Sequence, residues 1–162
     1  MLAVRCLVEA NFAVHKLSCI YETEPVELDT DLVFLNQVAE VQVKGVIPSQ
    51  MMARLLRIEY LLGRGDKTIR GPRTIDLDIL FFGNEVVDTD FITVPHPRAH
   101  LRKFVLVPMN EICPTFVHPT LKENIGTLLA NSEDTSWVHR WDPNHGLLGD
   151  QVCPDMAEAA AE

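Results

Sequence analysis

The sequence GPRTIDLDILFFG at residues 71–83 contains the clearest pattern in the chain. Its first two residues are typical of a turn, and the apolar, β-branched residues after them predict a strand that ends at Gly83. Because side chains alternate between the faces of a strand, Asp76 and Asp78 share one face and lie about 7 Å apart. The residues that share the opposite face are Ile75, Leu77 and Ile79.

Two carboxylates at this spacing repel each other unless a cation lies between them. A hard divalent cation is the natural candidate, and Mg²⁺ usually also binds the phosphate oxygens of a substrate. Arg73 adds a planar guanidinium that suits phosphate. Together these residues predict Mg²⁺-dependent phosphoryl or diphosphoryl transfer. Taken alone, Asp76 and Asp78 also fit a strand with one solvated face, because a bare Asp-x-Asp is a weak motif.

The complete string at residues 71–83 closely resembles the signature of the 6-hydroxymethyl-7,8-dihydropterin pyrophosphokinase family of folate biosynthesis. The resemblance extends from about Leu2 to Trp141, which is most of the chain. It implies that diphosphate moves from ATP, the co-substrate, to the hydroxymethyl oxygen of the pterin, with release of AMP. It also implies that Asp76 and Asp78 hold two Mg²⁺ ions that bridge the phosphates.

The composition indicates a single globular domain. The chain has 162 residues and a formal net charge of −9, which excludes a general nucleic-acid binder. Its four cysteines form no Cys-x-x-Cys pair and indicate free thiols in a reducing compartment. No apolar run reaches the length of a membrane span, and the start lacks the layout of a secretory signal. We therefore expect a cytoplasmic protein without nucleic-acid or membrane partners, with a domain over residues 1–141 and a polar tail over residues 142–162.

Hydrophobic periodicity predicts a mixture of strands and helices. The predicted helices are residues 1–10, a segment from Pro48 to Gly63, and residues 121–130, and the predicted strands are residues 12–21, 34–43, 74–82 and 136–141. Residues 101–112 fit either a short strand or a helix around Pro108. The order of elements favours an α+β fold with helices packed on a mainly antiparallel sheet. The resemblance implies that this fold is a ferredoxin-like sandwich.

A cationic segment leads into the central string. Between Arg54 and Arg73, six Arg or Lys residues stand against two acidic residues, although the whole chain is acidic. Composition alone fits a solvated helix end as well as it fits a clamp for polyphosphate. No Walker sequence is present, so a nucleotide would be held by side chains, a flexible loop and metal.

The resemblance implies which residues act on ATP. The catalytic residues would be Arg64, Arg73, Asp76 and Asp78. The ATP-binding residues would be Glu59, Arg64, Lys67, Arg73, Ile79, Thr93, His96 and Arg102. Without the resemblance, Glu59 would be interpreted as an exposed helical charge and His96 as a structural residue of a rigid, proline-rich loop. Many family members have a stacking tryptophan before Gly-Pro, where this chain has Ile69-Arg70.

A pterin is flat and polar, and it needs aromatic platforms together with amide-like donors and acceptors. The resemblance implies that Thr23, Pro25, Phe34, Asn36 and Phe104 provide them. The simpler interpretation is structural, with Phe34 in the core and Asn36 as a polar group at a strand edge. No residue stands out as a general base, so metal and positioning would have to suffice.

The chain departs from the family at its beginning. Family members open with a strand and a Gly-Ser-Asn-Leu loop, whereas Met1 already lies in the predicted first helix, so the first strand is missing. A longer natural chain, a partner that supplies the strand, or a degenerate copy would each explain this; the first is favoured, and the protein would then be a monomer. The alternative function is a catalytically inactive, ferredoxin-like nucleotide-binding or interaction module, which would need neither Asp76 nor Asp78.

Overall fold

The structure is a computed structural model that describes residues 12–24, 33–63 and 75–142. The helices in these ranges are α1 (Pro48–Leu61), α2 (Lys103–Ile112) and α3 (Ile125–Ala130), with a 3-10 turn at Ala99–Leu101. The strands are β1 (Ala13–Leu17), β2 (Tyr21–Thr23), β3 (Phe34–Asn36), β4 (Ala39–Gln42), β5 (Val87–Asp88), β6 (Thr93–Val94) and β7 (Val138–Arg140). The predicted first helix and the tail after residue 142 lie outside the described residues.

The strand pairs of the described residues are antiparallel, and with the helices they confirm the predicted α+β class. β1 pairs with β4, and β5 pairs with β6. β2 lies between β3 and β7 in a third sheet. Helix α2 contacts all three strands of that sheet, which carries Thr23 and Asn36.

The predicted strands 12–21 and 34–43 are each divided in two, at the place where Ser18 of the first contacts Gln37 and Val38 of the second. Side chains replace part of the ladder here, because the N–H of Val38 donates to Ser18 Oγ (2.9 Å) and Gln37 Nε2 donates to the Ser18 carbonyl (2.8 Å). The periodicity therefore predicts the extended chain correctly. It does not predict the division, because Ser18 is 3% exposed and its hydroxyl competes locally with the backbone.

Helix α1 follows the predicted pattern. Pro48 occupies its first turn, where a backbone N–H would have no acceptor within the helix, so proline's lack of an N–H costs no hydrogen bond. Met51, Leu55 and Ile58 are buried along one face, and Gly63, with φ of +86°, follows the end of the helix. The residues packed against this buried face include Phe12, Val14, Val41, Leu77 and Ile79.

Residues 101–112, which the sequence leaves open, form helix α2 from Lys103 onward, with Pro108 inside it. Val105, Leu106 and Met109 are buried and form a second core. Their partners in that core are Ala99, Ile125 and Leu128. Tertiary packing decides the outcome here, because a short apolar run fits a strand or a helix equally well.

Within the described ranges, no helix has the length and apolar character that crossing a membrane requires.

Helix α3 is shorter than the predicted helix over residues 121–130. It begins at Ile125 because Asn124 is its N-cap, with Asn124 Oδ1 accepting the N–H of Thr127 at 2.8 Å. Lys122 has φ of +61°, which lies outside the helical region. The first four residues of the predicted helix therefore belong to a loop.

The predicted strand over residues 136–141 is reduced to β7. The N–H of Ser136 donates to Asp134 Oδ1 (2.9 Å), and the N–H of Trp137 donates to Glu24 Oε1 (2.8 Å). These two backbone groups are thus bonded to carboxylates, and the ladder with β2 begins only at Val138.

His118 lies buried under the loop before α3. It is 3% exposed, and its Nδ1 accepts from the N–H groups of Thr120 and Leu121 at 3.3 Å each. The rings of Phe81 and His100 meet it edge-to-face. Burial lowers the pKa of His118, and the neighbouring His100 lowers it further. The folded chain therefore keeps this ring neutral near neutral pH.

We expect His118→Asn to weaken the pH dependence of stability. The unfolded chain binds a proton at His118 below about pH 6.5, whereas the folded chain resists it, so wild-type stability falls as the pH drops below that value. Asparagine can still accept a hydrogen bond near the Nδ1 position but does not titrate. Urea unfolding at about pH 7.5 and at about pH 5 should show a larger loss for the wild-type chain. An equal loss of unfolding free energy in the wild-type chain and the variant would contradict the conclusion that the folded chain keeps His118 neutral.

Candidate functional site

The segment at residues 75–82 presents Asp76 and Asp78 as predicted, but it is not a strand. Both carboxylates are exposed, whereas the three alternating apolar residues are half-buried. No β-ladder includes residues 75–82, so the strand prediction is wrong there. Backbone groups of this segment bond instead to a glutamate side chain and to the loops that follow.

Glu59 on α1 fixes the middle of this segment. Its side chain is 1% exposed, and Glu59 Oε1 accepts the N–H of Leu77 at 2.7 Å. Leu77 lies between Asp76 and Asp78, so Glu59 holds the backbone from which both carboxylates project. A buried carboxylate requires hydrogen-bond donors of this kind. The interpretation of Glu59 as an exposed helical charge is therefore wrong.

His96 joins the proline-rich loop to the same segment. Its N–H donates to the carbonyl of Leu80 at 2.8 Å. Its ring Nδ1 accepts the N–H of Arg98 at 3.2 Å. Because Nδ1 is the acceptor, the proton of the neutral ring lies on Nε2, which then serves as a donor.

The electrostatic surroundings of His96 favour its neutral form. Burial lowers the pKa of His96, the negative charge of Asp78 opposes this effect, and Arg102 and Arg98 reinforce it. The net pKa lies below the ordinary value for histidine. His96 therefore lies within the electrostatic influence of Asp78 and Arg102, and at neutral pH it offers an uncharged N–H donor.

Arg102 and Phe104 flank the beginning of α2. Arg102 is the N-cap residue, and its guanidinium carbon lies 5.4 Å from the centre of the Phe104 ring, a cation–π arrangement. Phe104 also packs against the second core. The start of α2 thus brings a cation suited to phosphate and an aromatic face suited to a flat ring to neighbouring positions.

Thr23, Phe34 and Asn36 lie together on β2 and β3. Thr23 is directly opposite Phe34 in the ladder, and Asn36 Nδ2 donates to Thr23 Oγ1 at 2.8 Å. Thr23 is 3% exposed, whereas Phe34 and Asn36 are half-buried. Asn36 therefore has a fixed orientation that leaves its amide oxygen as an acceptor for a ligand.

Three of the expected ATP-binding residues have side chains engaged elsewhere, and the first is Glu59, which is buried and bonded to Leu77. Ile79 packs against the core under α1. Thr93 Oγ1 donates to Asp88 Oδ1 at 2.9 Å across the β5–β6 pair. Their assignment to ATP stays a prediction. The assignments of Arg64, Lys67, Arg73 and Pro25 fall outside the described residues.

Asp76 and Asp78 are suitable for a divalent cation that is shared with a substrate. Across residues 12–24, 33–63 and 75–142, no group of three or more His, Cys, Asp or Glu side chains is arranged to hold a metal ion. Mg²⁺ is usually held by one or two carboxylates, with phosphate oxygens and water completing its octahedron. Two exposed carboxylates on a fixed backbone fit that requirement.

Sequence reasoning misses Asp134, which reaches the site from the loop after α3. Asp134 Oδ2 accepts the N–H of Lys103, the first residue of α2, at 2.7 Å. An aspartate two residues before a serine is typical of a local turn, and Asp134 does make that turn with Ser136. The bond to Lys103 spans 31 positions, so no local pattern could reveal it.

Comparison with known proteins finds a consistent set of relatives. A family model described as 7,8-dihydro-6-hydroxymethylpterin-pyrophosphokinase (HPPK) matches residues 2–114. The 2-amino-4-hydroxy-6-hydroxymethyldihydropteridine pyrophosphokinase of Bacillus subtilis is 43% identical over 104 residues, which are 64% of this chain and 62% of that protein. The enzyme of the same name from Aquifex aeolicus is 31% identical over 115 residues, 71% of each chain. A mitochondrial folate synthesis bifunctional protein of Pisum sativum is 36% identical over 146 residues, 90% of this chain and 26% of that protein. The chain thus spans less than two thirds of the Bacillus subtilis relative.

Proposed function

The chain belongs to the 7,8-dihydro-6-hydroxymethylpterin-pyrophosphokinase family, and from this premise we propose that it transfers diphosphate from ATP to 6-hydroxymethyl-7,8-dihydropterin in folate biosynthesis. The hydroxymethyl oxygen forms a bond to the β-phosphorus of ATP. The bond from that phosphorus to the oxygen shared with the α-phosphorus breaks, and this oxygen leaves with AMP. The hydroxyl proton passes to water.

The observation that carries the proposal is the exposed pair of Asp76 and Asp78 beside a neutral His96. Glu59 holds the backbone between the two carboxylates, so their spacing is preset before substrate binds. Mg²⁺ bound there, proposed as two ions, would neutralise phosphate charge and increase the electrophilic character of the β-phosphorus. Preset charge of this kind is the main source of catalysis in phosphoryl transfer.

His96 and Arg102 would bind the phosphates from the other side. The Nε2–H of His96 donates to a phosphate oxygen without adding a charge. Arg102 supplies a planar cation that can form two parallel hydrogen bonds to phosphate. Family resemblance adds Arg64, Lys67 and Arg73 to this set.

The pterin would bind between α2 and the sheet formed by β3, β2 and β7. Phe104 at the start of α2 and Phe34 on β3 supply aromatic faces, and family resemblance adds Pro25. Asn36, oriented by its bond to Thr23, supplies amide hydrogen bonding to the polar edge of the ring. The fold proposed for this arrangement is a ferredoxin-like sandwich over residues 1–141, with the described helices and antiparallel pairs as its support.

The direct test is AMP formation from ATP by this chain. We expect AMP only when both the pterin alcohol and Mg²⁺ are present, and we expect EDTA to abolish it and excess Mg²⁺ to restore it. Chromatography of the nucleotides distinguishes AMP from ADP. AMP formation that does not depend on the pterin or on Mg²⁺ would contradict the proposal. No AMP under any of these conditions would contradict it as well and would favour the inactive nucleotide-binding module.

A further inference from the structure

Residues 132–137, here called the connector, join the start of α2 to the end of β2. At one end, Asp134 Oδ2 accepts the N–H of Lys103 at 2.7 Å. This N–H is among those at a helix start that have no partner within the helix, and the side chain of the N-cap residue Arg102 does not cap it. Asp134 thus caps α2 from a distant part of the chain, beyond residues 2–114 that the family model matches.

The other end of the connector is attached to the strand that carries Thr23. The N–H of Trp137 donates to Glu24 Oε1 at 2.8 Å. The next residue, Val138, pairs directly with Thr23 in the ladder between β2 and β7. The connector therefore contacts the residue after Thr23 at one end and the residue before Phe104 at the other.

The connector is also bonded within itself. Asp134 Oδ1 accepts the N–H of Ser136 at 2.9 Å, and the N–H of Asp134 donates to Ser132 Oγ at 3.3 Å. Both carboxylate oxygens of Asp134 are thus in use, one inside the connector and one on α2. Because Asp134 is bonded on both sides, a change in the position of β2 and the connector should also change the position of the start of α2.

We propose that Asp134 is a positioning residue that sets the separation between the two walls of the pterin site. One wall is Phe104 at the start of α2, and the other is the group of Thr23, Phe34 and Asn36 on β2 and β3. This inference rests on the proposed function, because it assigns the pterin to the space between these walls. Asp134 itself does not touch the substrate.

The two substrates should respond differently to a change at Asp134. The carboxylates that serve ATP are held independently, by the bond from Glu59 to Leu77 and by the bond from His96 to Leu80. At the start of α2, in contrast, the two walls of the pterin site are linked through Asp134 and the connector. A second side-chain link, Glu111 Oε2 accepting from Cys19 and Tyr21, lies near the opposite end of the helix. Of the residues proposed to bind ATP, Arg102 alone flanks the start of α2 directly. Loss of the Asp134 carboxylate should therefore weaken pterin binding more than ATP binding.

The test is calorimetric binding of the pterin alcohol to the full chain in the presence of Mg²⁺ and α,β-methylene ATP, whose scissile bridge cannot break. We expect Asp134→Ala to raise the pterin Kd about 10-fold, the scale usual for residues that orient a ligand-binding group, with a much smaller change in the Kd of the ATP analogue. Asp134→Asn, which keeps one accepting oxygen, should have a pterin Kd between those of the wild-type chain and Asp134→Ala. Glu133→Ala, at the exposed neighbouring position, is the matched control and should bind as the wild-type chain does.

Each outcome of this experiment bears on the inference. An unchanged pterin Kd in Asp134→Ala, or equal weakening for pterin and ATP analogue, would overturn it, because a merely structural residue would reduce the folded fraction without separating the two ligands. Where Asp134→Ala fails to fold, Asp134→Asn is compared, and an unchanged pterin Kd there overturns the inference as well. The measurement needs no turnover, so a wild-type chain that binds pterin without forming AMP defeats the proposed function alone.

Discussion

Asp78→Ala is expected to reduce AMP formation by about 10²- to 10³-fold while leaving the fold intact, which is the scale of losing one principal electrostatic contact in a transition state. Asp78 is one of only two carboxylates that project from the fixed segment at residues 75–82. Removing it would take away one of the two proposed cation ligands at the place where phosphate charge would be neutralised. Because the side chain is exposed, the free energy of unfolding should change by less than about 0.5 kcal/mol.

Turnover, stability and the titration of His96 together test this expectation. The negative charge of Asp78 raises the pKa of His96, so the variant should show a lower His96 pKa by NMR. Asp90→Ala is the matched control, since Asp90 is an exposed carboxylate in the β5–β6 loop, and it should retain wild-type turnover. Wild-type turnover in Asp78→Ala would remove the basis for the cation site, and an unchanged His96 pKa would show that Asp78 does not face the ring.

Glu59→Ala is expected to reduce both stability and turnover. The substitution leaves the N–H of Leu77 without its acceptor and removes a side chain that is 1% exposed. An unsatisfied polar group of this kind costs about 1–3 kcal/mol of the free energy of unfolding. Because Leu77 lies between Asp76 and Asp78, the carboxylates should also lose their preset spacing, with a decrease in kcat of about 10²-fold.

Glu59→Gln separates the accepting oxygen from the negative charge. Glutamine keeps an oxygen that can accept from Leu77, so its stability in urea unfolding should lie close to that of the wild-type chain. Alanine and glutamine variants that are equally destabilised would show that the bond to Leu77 does not carry the effect. Normal stability in the alanine variant would show that the segment is held by other contacts.

The burial of Glu59 was accessible from the sequence, although the simplest interpretation missed it. Glu59 follows Leu55 by four positions and Met51 by eight, so helical spacing places it on the buried stripe of α1. A charge on a stripe of this kind indicates a fixed partner. The partner could not be identified, because Leu77 contributes a backbone N–H, and every residue except proline has one.

The alternation at Asp76 and Asp78 was predictable, and the absence of a ladder was not. Local sequence determines which side chains share a face, whereas a ladder depends on which neighbour supplies hydrogen bonds. The same distinction explains β7, whose first predicted residues bond to the carboxylates of Asp134 and Glu24. It also explains the break at Ser18, where a hydroxyl accepts in place of a carbonyl.

The candidate site was predictable in its residue types and not in its connections. A motif at residues 71–83 and a Pro-His pair are sufficient to nominate Asp76, Asp78 and His96. The tautomer of His96 depends on the N–H of Arg98, and the cap on α2 depends on Asp134. The contact between Arg98 and His96 spans only two positions. The cap on α2 spans 31 positions and depends on how the loop after α3 packs against the start of α2, which no local pattern encodes.

Phosphorus-31 NMR of this chain with ATP, Mg²⁺ and 6-hydroxymethyl-7,8-dihydropterin tests the central claim most directly, because it identifies which phosphorus receives the hydroxymethyl oxygen. We expect AMP and a pterin diphosphate to appear in equal amounts, with a new pair of signals for the diphosphate. Formation of ADP with a pterin monophosphate would contradict attack at the β-phosphorus, and unchanged ATP with bound nucleotide would contradict catalysis by this chain.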